Sequence, residues 1–338
     1  MRPSLRMVIA ILGMSLAPAC GDSSTPAESG AGGTSGSGGG EPGRDGSALA
    51  WKSLPPLPGG PRQETGVAAL DGKVYVVGGL TSATSTVATV EAYDPATNTW
   101  SSVAPLPNAL HHANTAAVNG KLYVVGALAD LTFRAIGNVY AYDPQMGWSA
   151  KTPLPVGQER GASAVAVVGS KIYVAGGNRG ASVVDFSAYD TEADAHVSLP
   201  PLPAPRDHLV GSAIGTRVYA IGGRAGGSLY GSVDAFDTMT GSWATVADVR
   251  TRRAGSAAAA FGDRIVVAGG EGNLDSPVGV FSQTEAFVPA TNTWLVLPDM
   301  RTPRHGTGAA VIDYAFYVPG GATQQGFGAT DVVEALDL

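Results

Sequence analysis

Two distant segments of the chain are nearly identical: residues 93–100 read YDPATNTW and residues 287–294 read FVPATNTW. They belong to a unit that recurs about every 48 residues and carries a pair of small residues, usually two glycines. The pairs begin at Gly78, Gly126, Gly176, Gly222, Gly269 and Gly320, so the steps are 48, 50, 46, 47 and 51 residues. A period of this length, filled with short strands, is typical of propellers and solenoids.

Each repeat predicts four short β-strands. In the first repeat these are residues 64–70, 73–77, 87–94 and 99–106, with a hairpin signal at Asp71-Gly72 between the first two. The predicted first strands are rich in alanine and glycine, which fit where the innermost strands crowd around a central axis. Six copies therefore predict an all-β fold, a six-bladed β-propeller.

The repeat resembles the kelch family. The marks are the glycine pair, the Tyr93-Asp94 pair in the third strand, Trp100 seven residues after Tyr93, and an arginine before the first strand. The resemblance covers residues 50–338 and implies a kelch β-propeller. Single copies depart from the pattern at Ala127, Trp148, His196, Val288 and Leu336.

The sixth repeat lacks a fourth, tryptophan-bearing strand, because the sequence ends at Leu338 just after its third strand. Residues 51–58 (WKSLPPLP) precede the first repeat and look like residues 100–107 (WSSVAPLP). We therefore expect the N-terminal segment to supply the missing strand and close the ring.

The segment before the repeats predicts export. Residues 1–19 combine Arg2 and Arg6 with a short apolar run and resemble a signal peptide. Small residues precede Cys20, as in the lipobox of bacterial lipoproteins, and residues 20–49 form a Gly/Ser-rich tether. We expect a lipid-anchored, monomeric protein of the bacterial cell envelope, on the outer membrane, whose propeller spans residues 50–338. Ordinary secretion is the alternative.

Charge and cysteine content argue against several partners and chemistries. Losing Arg2 and Arg6 with the signal peptide changes the formal charge from −7 to −9, which disfavours nucleic acid as a partner. Cys20 is the only cysteine and precedes the repeats, so neither an intrachain disulfide nor the tyrosine–cysteine crosslink of kelch-type copper-radical oxidases is possible. We expect no cofactor.

The arginine before the first strand forms a column with two interpretations. It lies 16 residues ahead of the glycine pair in five repeats, with Leu110 in the second, and its members are Arg62, Arg160, Arg206, Arg253 and Arg304. A residue repeated around a ring usually serves the ring, so these arginines can bind loop carbonyls or the carboxylates of Glu91, Asp234, Glu285 and Glu334. Alternatively they form a cationic collar for a carboxylate or phosphate.

Four of the five histidines follow this column, at His111, His112, His208 and His305, whereas His196 replaces a packing tryptophan. Gln63, Glu64 and Asp207 share the same loops. The facing loops add Asn178, Arg179, Arg224, Glu271, Asn273, Asp275, Gln324 and Gln325, and the fifth of them is the longest. This concentration predicts a binding rim at the mouth of the channel. A metal site is not predicted, because no two histidines show an i, i+2 or i, i+4 spacing.

Two functions remain open. The first is a non-catalytic module that binds a protein or a glycan, possibly anionic, through this rim. The second is an epimerase or mutarotase acting on an anionic sugar, because the chain resembles the bacterial sialic-acid epimerases in being an exported kelch propeller. In that case an arginine would hold the carboxylate of the sugar, and a carboxylate or histidine would move a proton. The weakly differentiated arginine column favours binding.

Overall fold

A computed structural model describes residues 49–81 and 85–338 of the chain. The expected signal peptide, the lipidation site Cys20 and nearly all of the expected tether lie outside these residues. Every regular element in the described ranges is a β-strand. The described part of the chain contains no helix long and apolar enough to cross a membrane.

The strands form six four-stranded antiparallel sheets, the blades of a propeller, which confirms the predicted fold. The N-terminal strand is β1 (Trp51–Leu54). The first blade contains β2 (Gly66–Leu70), β3 (Lys73–Val77), β4 (Val90–Asp94) and β5 (Thr99–Val103). The second contains β6 (Thr115–Val118), β7 (Lys121–Ala129), β8 (Arg134–Asp143) and β9 (Gly147–Lys151). The third contains β10 (Ala164–Val168), β11 (Lys171–Ala175), β12 (Phe186–Asp190) and β13 (Ala195–Ser198).

The remaining blades follow the same order. The fourth contains β14 (Val210–Ile214), β15 (Arg217–Ile221), β18 (Val233–Asp237) and β19 (Ser242–Val246), with a small hairpin of β16 (Arg224–Ala225) and β17 (Ser228–Leu229) between its middle strands. The fifth contains β20 (Ala257–Phe261), β21 (Arg264–Ala268), β22 (Thr284–Val288) and β23 (Thr293–Leu297). The sixth contains β24 (Ala310–Ile312), β25 (Ala315–Pro319) and β26 (Val333–Asp337).

The N-terminal strand β1 completes the sixth blade, as predicted. It pairs antiparallel with β26, with Trp51 opposite Leu336 and Leu54 opposite Val333. The two ends of the propeller are thus joined by one ladder of backbone hydrogen bonds. This pairing covers the edge of β26, which would otherwise be exposed.

Neighbouring blades are held together by apolar side chains and by one recurring hydrogen bond. Between the first and second blades, Tyr75, Val90, Leu122 and Tyr142 belong to one buried cluster. On the fourth strand of each blade, an aromatic ring nitrogen bonds a backbone carbonyl of the preceding blade. The pairs are Trp51–Pro298, Trp100–Pro55, Trp148–Ala104, His196–Thr152, Trp243–Pro200 and Trp294–Ala247.

The inner strand of the first blade begins later than predicted, at Gly66 instead of residue 64, and that of the sixth blade begins at Ala310. The reason is the backbone of the preceding residues, since Glu64 and Gly306 have positive φ angles of 55° and 66°, which a strand does not tolerate. These residues form the site described below.

Candidate functional site at the propeller axis

The five arginines of the column lie inside the blades and are at most 2% exposed. Four pair with a carboxylate on the third strand of their own blade, as Arg304 does with Glu334 at 2.7 Å. The other three pairs are Arg62–Glu91, Arg206–Asp234 and Arg253–Glu285. These contacts support the framework interpretation of the column, because the guanidinium groups are already used within their own blades.

The two remaining blades lack this ion pair. In the third blade Ser187 occupies the position of the carboxylate, and Arg160 donates to its hydroxyl at 2.9 Å and to the carbonyl of Val174 at 2.8 Å. In the second blade Leu110 replaces the arginine and Tyr140 replaces the carboxylate, and both lie in one apolar cluster. Burial lowers the pKa of Arg160 to about 10, so it remains charged at neutral pH.

A closed ring of backbone hydrogen bonds surrounds the axis. In the sequence, each of its members lies two residues after the position of the arginine column. Its members are Glu64, His112, Ala162, His208, Gly255 and Gly306. Each amide donates to the carbonyl of the previous member, for example His112 to Glu64 at 2.8 Å, and the amide of Glu64 closes the circle on Gly306. We call these six residues the axial ring.

All six members of the axial ring have positive φ angles, between 50° and 66°. Glycine adopts this conformation without strain, but four members carry a side chain, at a cost of roughly 1–2 kcal/mol each. Such strain persists where the surrounding structure imposes it, and it concentrates at functional sites. Here the closed hydrogen-bond ring imposes it.

Three side chains of the axial ring converge across the axis. The Nε2 atoms of His112 and His208 lie 3.0 Å apart, and Glu64 Oε2 lies 3.0 Å from His112 Nε2. The residues come from the second, fourth and first blades, and each is less than 10% exposed. We call this group the axial triad. Gly306 leaves room for it, because a Cβ there would lie 2.6 Å from Glu64 Oε1.

Flanking groups engage the Nδ1 atoms of both imidazoles. His111 Nε2 lies 2.8 Å from the carbonyl of Asp130, so it must donate. Burial and the neighbouring His112 lower the pKa of His111 to about 4, so its Nδ1 carries a lone pair and accepts from His112 Nδ1 at 2.5 Å. His208 Nδ1 donates to Asp207 at 2.6 Å, and burial lowers the pKa of His208. With each Nδ1 engaged in this way, the Nε2 atoms of both rings face each other across the axis.

The third member of the triad is a carboxylate. Burial by itself raises the pKa of Glu64, but the positive charges that His112, His208 and His305 can carry outweigh it, so the pKa lies well below its usual range. Ionised Glu64 offers only acceptor oxygens. The axial triad thus brings two imidazole Nε2 atoms and one carboxylate together in a buried site.

His305 and two residues of the facing loops surround the triad. His305 Nε2 donates to the carbonyl of Gln324 at 3.0 Å, and its buried Nδ1 has no hydrogen-bond partner. This Nδ1 lies 3.6 Å from Glu271 and 3.8 Å from Glu64. Arg224 approaches His208 Nε2 at 3.2 Å and also binds Asp207 and Glu271.

The other predicted rim residues are placed around this centre. Gln63 reaches the sixth-blade loop and donates to the carbonyl of Gly326 at 2.6 Å. Asn178 donates to Asp207 at 3.4 Å, and Arg179 pairs with Asp185 at 3.3 Å. The residues of the predicted rim therefore fall into two groups. The arginines are buried within the blades, and the histidines cluster on the axis.

Sequence spacing missed the axial triad because the spacing rule considers neighbours along one strand or helix. His112 and His208 are 96 residues apart and become neighbours only through the ring. The signal that could have found them is their shared position in the repeat, two residues after the arginine column.

A cavity of about 160 Å³ lies on the axis, lined by the axial ring and the starts of the inner strands. Ligand pockets for drug-sized molecules are typically about 300–1,000 Å³. The axial cavity is smaller than that range, and it is large enough for water molecules or an ion.

Away from the axis, the face that carries the loops after the second strands exposes apolar side chains. The fifth-blade loop (residues 269–283) and the sixth-blade loop (residues 320–332) are joined by a hydrogen bond from the amide of Gln325 to the carbonyl of Val278, at 2.8 Å. These two loops expose Leu274 at 98%, Val278 at 45% and Phe327 at 41%. We call the three side chains the apolar loop patch.

The fold and the repeat define the class of protein as a six-bladed propeller of kelch-type repeats. Residues 149–321 match the KLHDC2/KLHL20/DRC7 Kelch-repeats domain, and residues 61–107 match the Kelch motif. The chain belongs to the kelch-repeat family.

The known relatives match different shares of this chain. Kelch-like protein terF of Aspergillus terreus is 35% identical over 295 residues, which is 82% of this chain and 64% of that protein. Kelch-like protein 25 of Xenopus tropicalis is 31% identical over 54% of this chain and 32% of its own length. The chain thus spans less than two thirds of these relatives. The solved structure of YjhT has a TM-score of 0.71 at 17% identity, over 82% of this chain and 95% of that one, so it shares the fold.

Proposed function

We propose that this protein is a membrane-tethered, non-catalytic kelch β-propeller that binds a partner protein through its loop-bearing face. Kelch-repeat relatives are in general protein-binding scaffolds. The observation that carries the proposal is the apolar loop patch, which displays Leu274, Val278 and Phe327 on two loops tied to a rigid ring.

The patch has the features of a binding surface. Aromatic and aliphatic side chains that lie exposed together on loops of a rigid scaffold are typical of protein interfaces. The hydrogen bond between Gln325 and Val278 holds the two loops together before binding, which lowers the entropic cost of ordering them. A glycan partner would use polar groups and aromatic platforms, of which this patch offers only Phe327.

The tether belongs to the same proposal. The apolar run before Cys20, and the Gly/Ser-rich stretch after it, support an exported lipoprotein whose propeller is held at the bacterial outer membrane. The described chain enters the propeller at Trp51, which pairs with Leu336 at the end of β26 that is remote from the sixth-blade loop.

Site-specific photocrosslinking in the native cell envelope tests the proposal. A photoreactive residue at Leu274 or Phe327 should give one discrete protein adduct, and Val278→Asp should remove it. Met239 is the matched control, because it is 78% exposed in the turn between β18 and β19, on the opposite face. Adducts of equal yield from Met239, or a patch that gives none, would contradict the proposal.

A second candidate function is the epimerase or mutarotase acting on an anionic sugar. The axial triad favours it, since a carboxylate and two histidines in contact can move protons. The burial of the triad and the small cavity work against it, because a sugar ring must reach the triad. Interconversion of sialic acid anomers, followed by NMR with the wild type and Glu64→Gln, separates the two functions: catalysis lost in Glu64→Gln would favour the enzyme.

A further inference from the structure

We propose that the axial triad of Glu64, His112 and His208 binds a divalent transition-metal ion such as Zn²⁺. The three ligand atoms all lie within 4.8 Å of one another. Two imidazole nitrogens and one carboxylate form a ligand set that zinc sites with an open fourth position use. The inference is independent of the proposed binding of a partner protein.

The distances allow such an ion to sit between the three ligands after small side-chain movements. Two ligands at 2.0–2.1 Å from a tetrahedral zinc ion lie roughly 3.3 Å apart. The separations between His112 Nε2 and His208 Nε2, and between His112 Nε2 and Glu64 Oε2, are each 3.0 Å. An ion would widen these two separations by a few tenths of an ångström, and it would draw His208 and Glu64, whose ligand atoms lie within 4.8 Å, closer together.

The hydrogen bonds around the triad orient the two imidazole rings so that their Nε2 atoms face the axis. Asp207 accepts from His208 Nδ1, and His111 accepts from His112 Nδ1, which leaves both Nε2 atoms free to coordinate. A carboxylate behind a coordinating histidine is a recurrent feature of zinc sites. Without a metal ion, His112 Nε2 lies 3.0 Å from both His208 Nε2 and Glu64 Oε2, an arrangement that requires a proton shared among these groups.

The ion would also connect the blades. Its ligands come from the first, second and fourth blades, and each belongs to a strained position of the axial ring. Arg224, whose side chain is 32% exposed, covers the triad on the loop side and also pairs with Asp207 and Glu271. Those two carboxylates can hold Arg224 when it leaves His208, so its departure opens a path for the ion.

Titration with Zn²⁺ tests the proposal on the full chain after treatment with a chelator. Calorimetry should give one site per chain, and Co²⁺ should give the visible absorption of a tetrahedral ion. His112→Ala, His208→Ala and Glu64→Gln should each remove this site. Asp207→Asn keeps all three ligands and should weaken binding about 10- to 100-fold.

The matched control is His196→Gln, because His196 lies on the fourth strand of the third blade, outside the triad. It should bind Zn²⁺ like the wild type. Circular dichroism of the metal-free variants separates loss of the site from loss of the fold. Glu64→Gln preserves side-chain volume, so it still tests the metal site if a histidine variant unfolds. A wild type without a stoichiometric site, or triad variants that bind as His196→Gln does, would overturn the proposal and leave a shared proton between the two imidazoles.

Discussion

The indole Nε1 of Trp51 donates a hydrogen bond to the backbone carbonyl of Pro298 at 2.7 Å, which joins the N-terminal strand to the fifth blade. The same ring packs edge-on against Phe316 of the sixth blade, with ring centroids 6.2 Å apart. One side chain therefore connects the strand that closes the ring to two blades.

Trp51→Ala should destabilise the propeller by about 3 kcal/mol, because it removes a buried aromatic ring and leaves a cavity. Deleting residues 50–58 should cost more, since it removes the whole closing strand β1 and uncovers the edge of β26. Chemical denaturation measures both effects. Deletion of residues 21–45, which lie before the propeller, is the control, and a similar loss of stability in that variant would contradict the closing role of β1.

Arg206→Ala should destabilise the fold by about 3–5 kcal/mol, because it leaves the carboxylate of Asp234 buried without its partner. Arg160→Ala should cost less, about 1–3 kcal/mol, since Arg160 binds only a hydroxyl and backbone carbonyls. The free energies of unfolding of the two variants give the comparison. An Arg206→Ala protein of unchanged stability that loses its partner would instead place the arginine column in the binding site.

Much of the fold could be predicted from the repeat, as could the residues of the axial site, whereas the contacts between those residues could not. The glycine pairs correctly marked where the second strands end, because Gly78 and Gly79 both have positive φ angles. The second blade differs, since Ala127 lets β7 continue past a register shift into a long hairpin with β8. The contact between His112 and His208 depends on how the blades curve around the axis, which no local pattern records.

The lipid anchor remains a prediction, because Cys20 lies outside the described residues. Cys20→Ser should abolish incorporation of a radioactive fatty acid and release the protein from the membrane fraction. The propeller should still fold, since β1 begins at Trp51 and no described contact involves Cys20. Wild type that incorporates no fatty acid would contradict the anchor, and the unchanged melting temperature of Cys20→Ser is the control for folding.

His196→Trp should stabilise the third blade. His196 stacks on Tyr189 with ring centroids 4.8 Å apart, in the place where the fifth blade stacks Trp294 on Phe287 at 5.2 Å. Its Nε2 bonds the carbonyl of Thr152, but its Nδ1 is buried without a partner.

A tryptophan keeps the donor to Thr152 and removes the unpaired nitrogen, so the free energy of unfolding should rise by about 1 kcal/mol. His196→Phe is the matched control, because it also removes Nδ1 but loses the hydrogen bond between the blades. Denaturation should rank the tryptophan variant above the wild type and above the phenylalanine variant. If both substitutions are equally stabilising, aromatic packing alone accounts for the gain and the hydrogen bond to Thr152 contributes nothing.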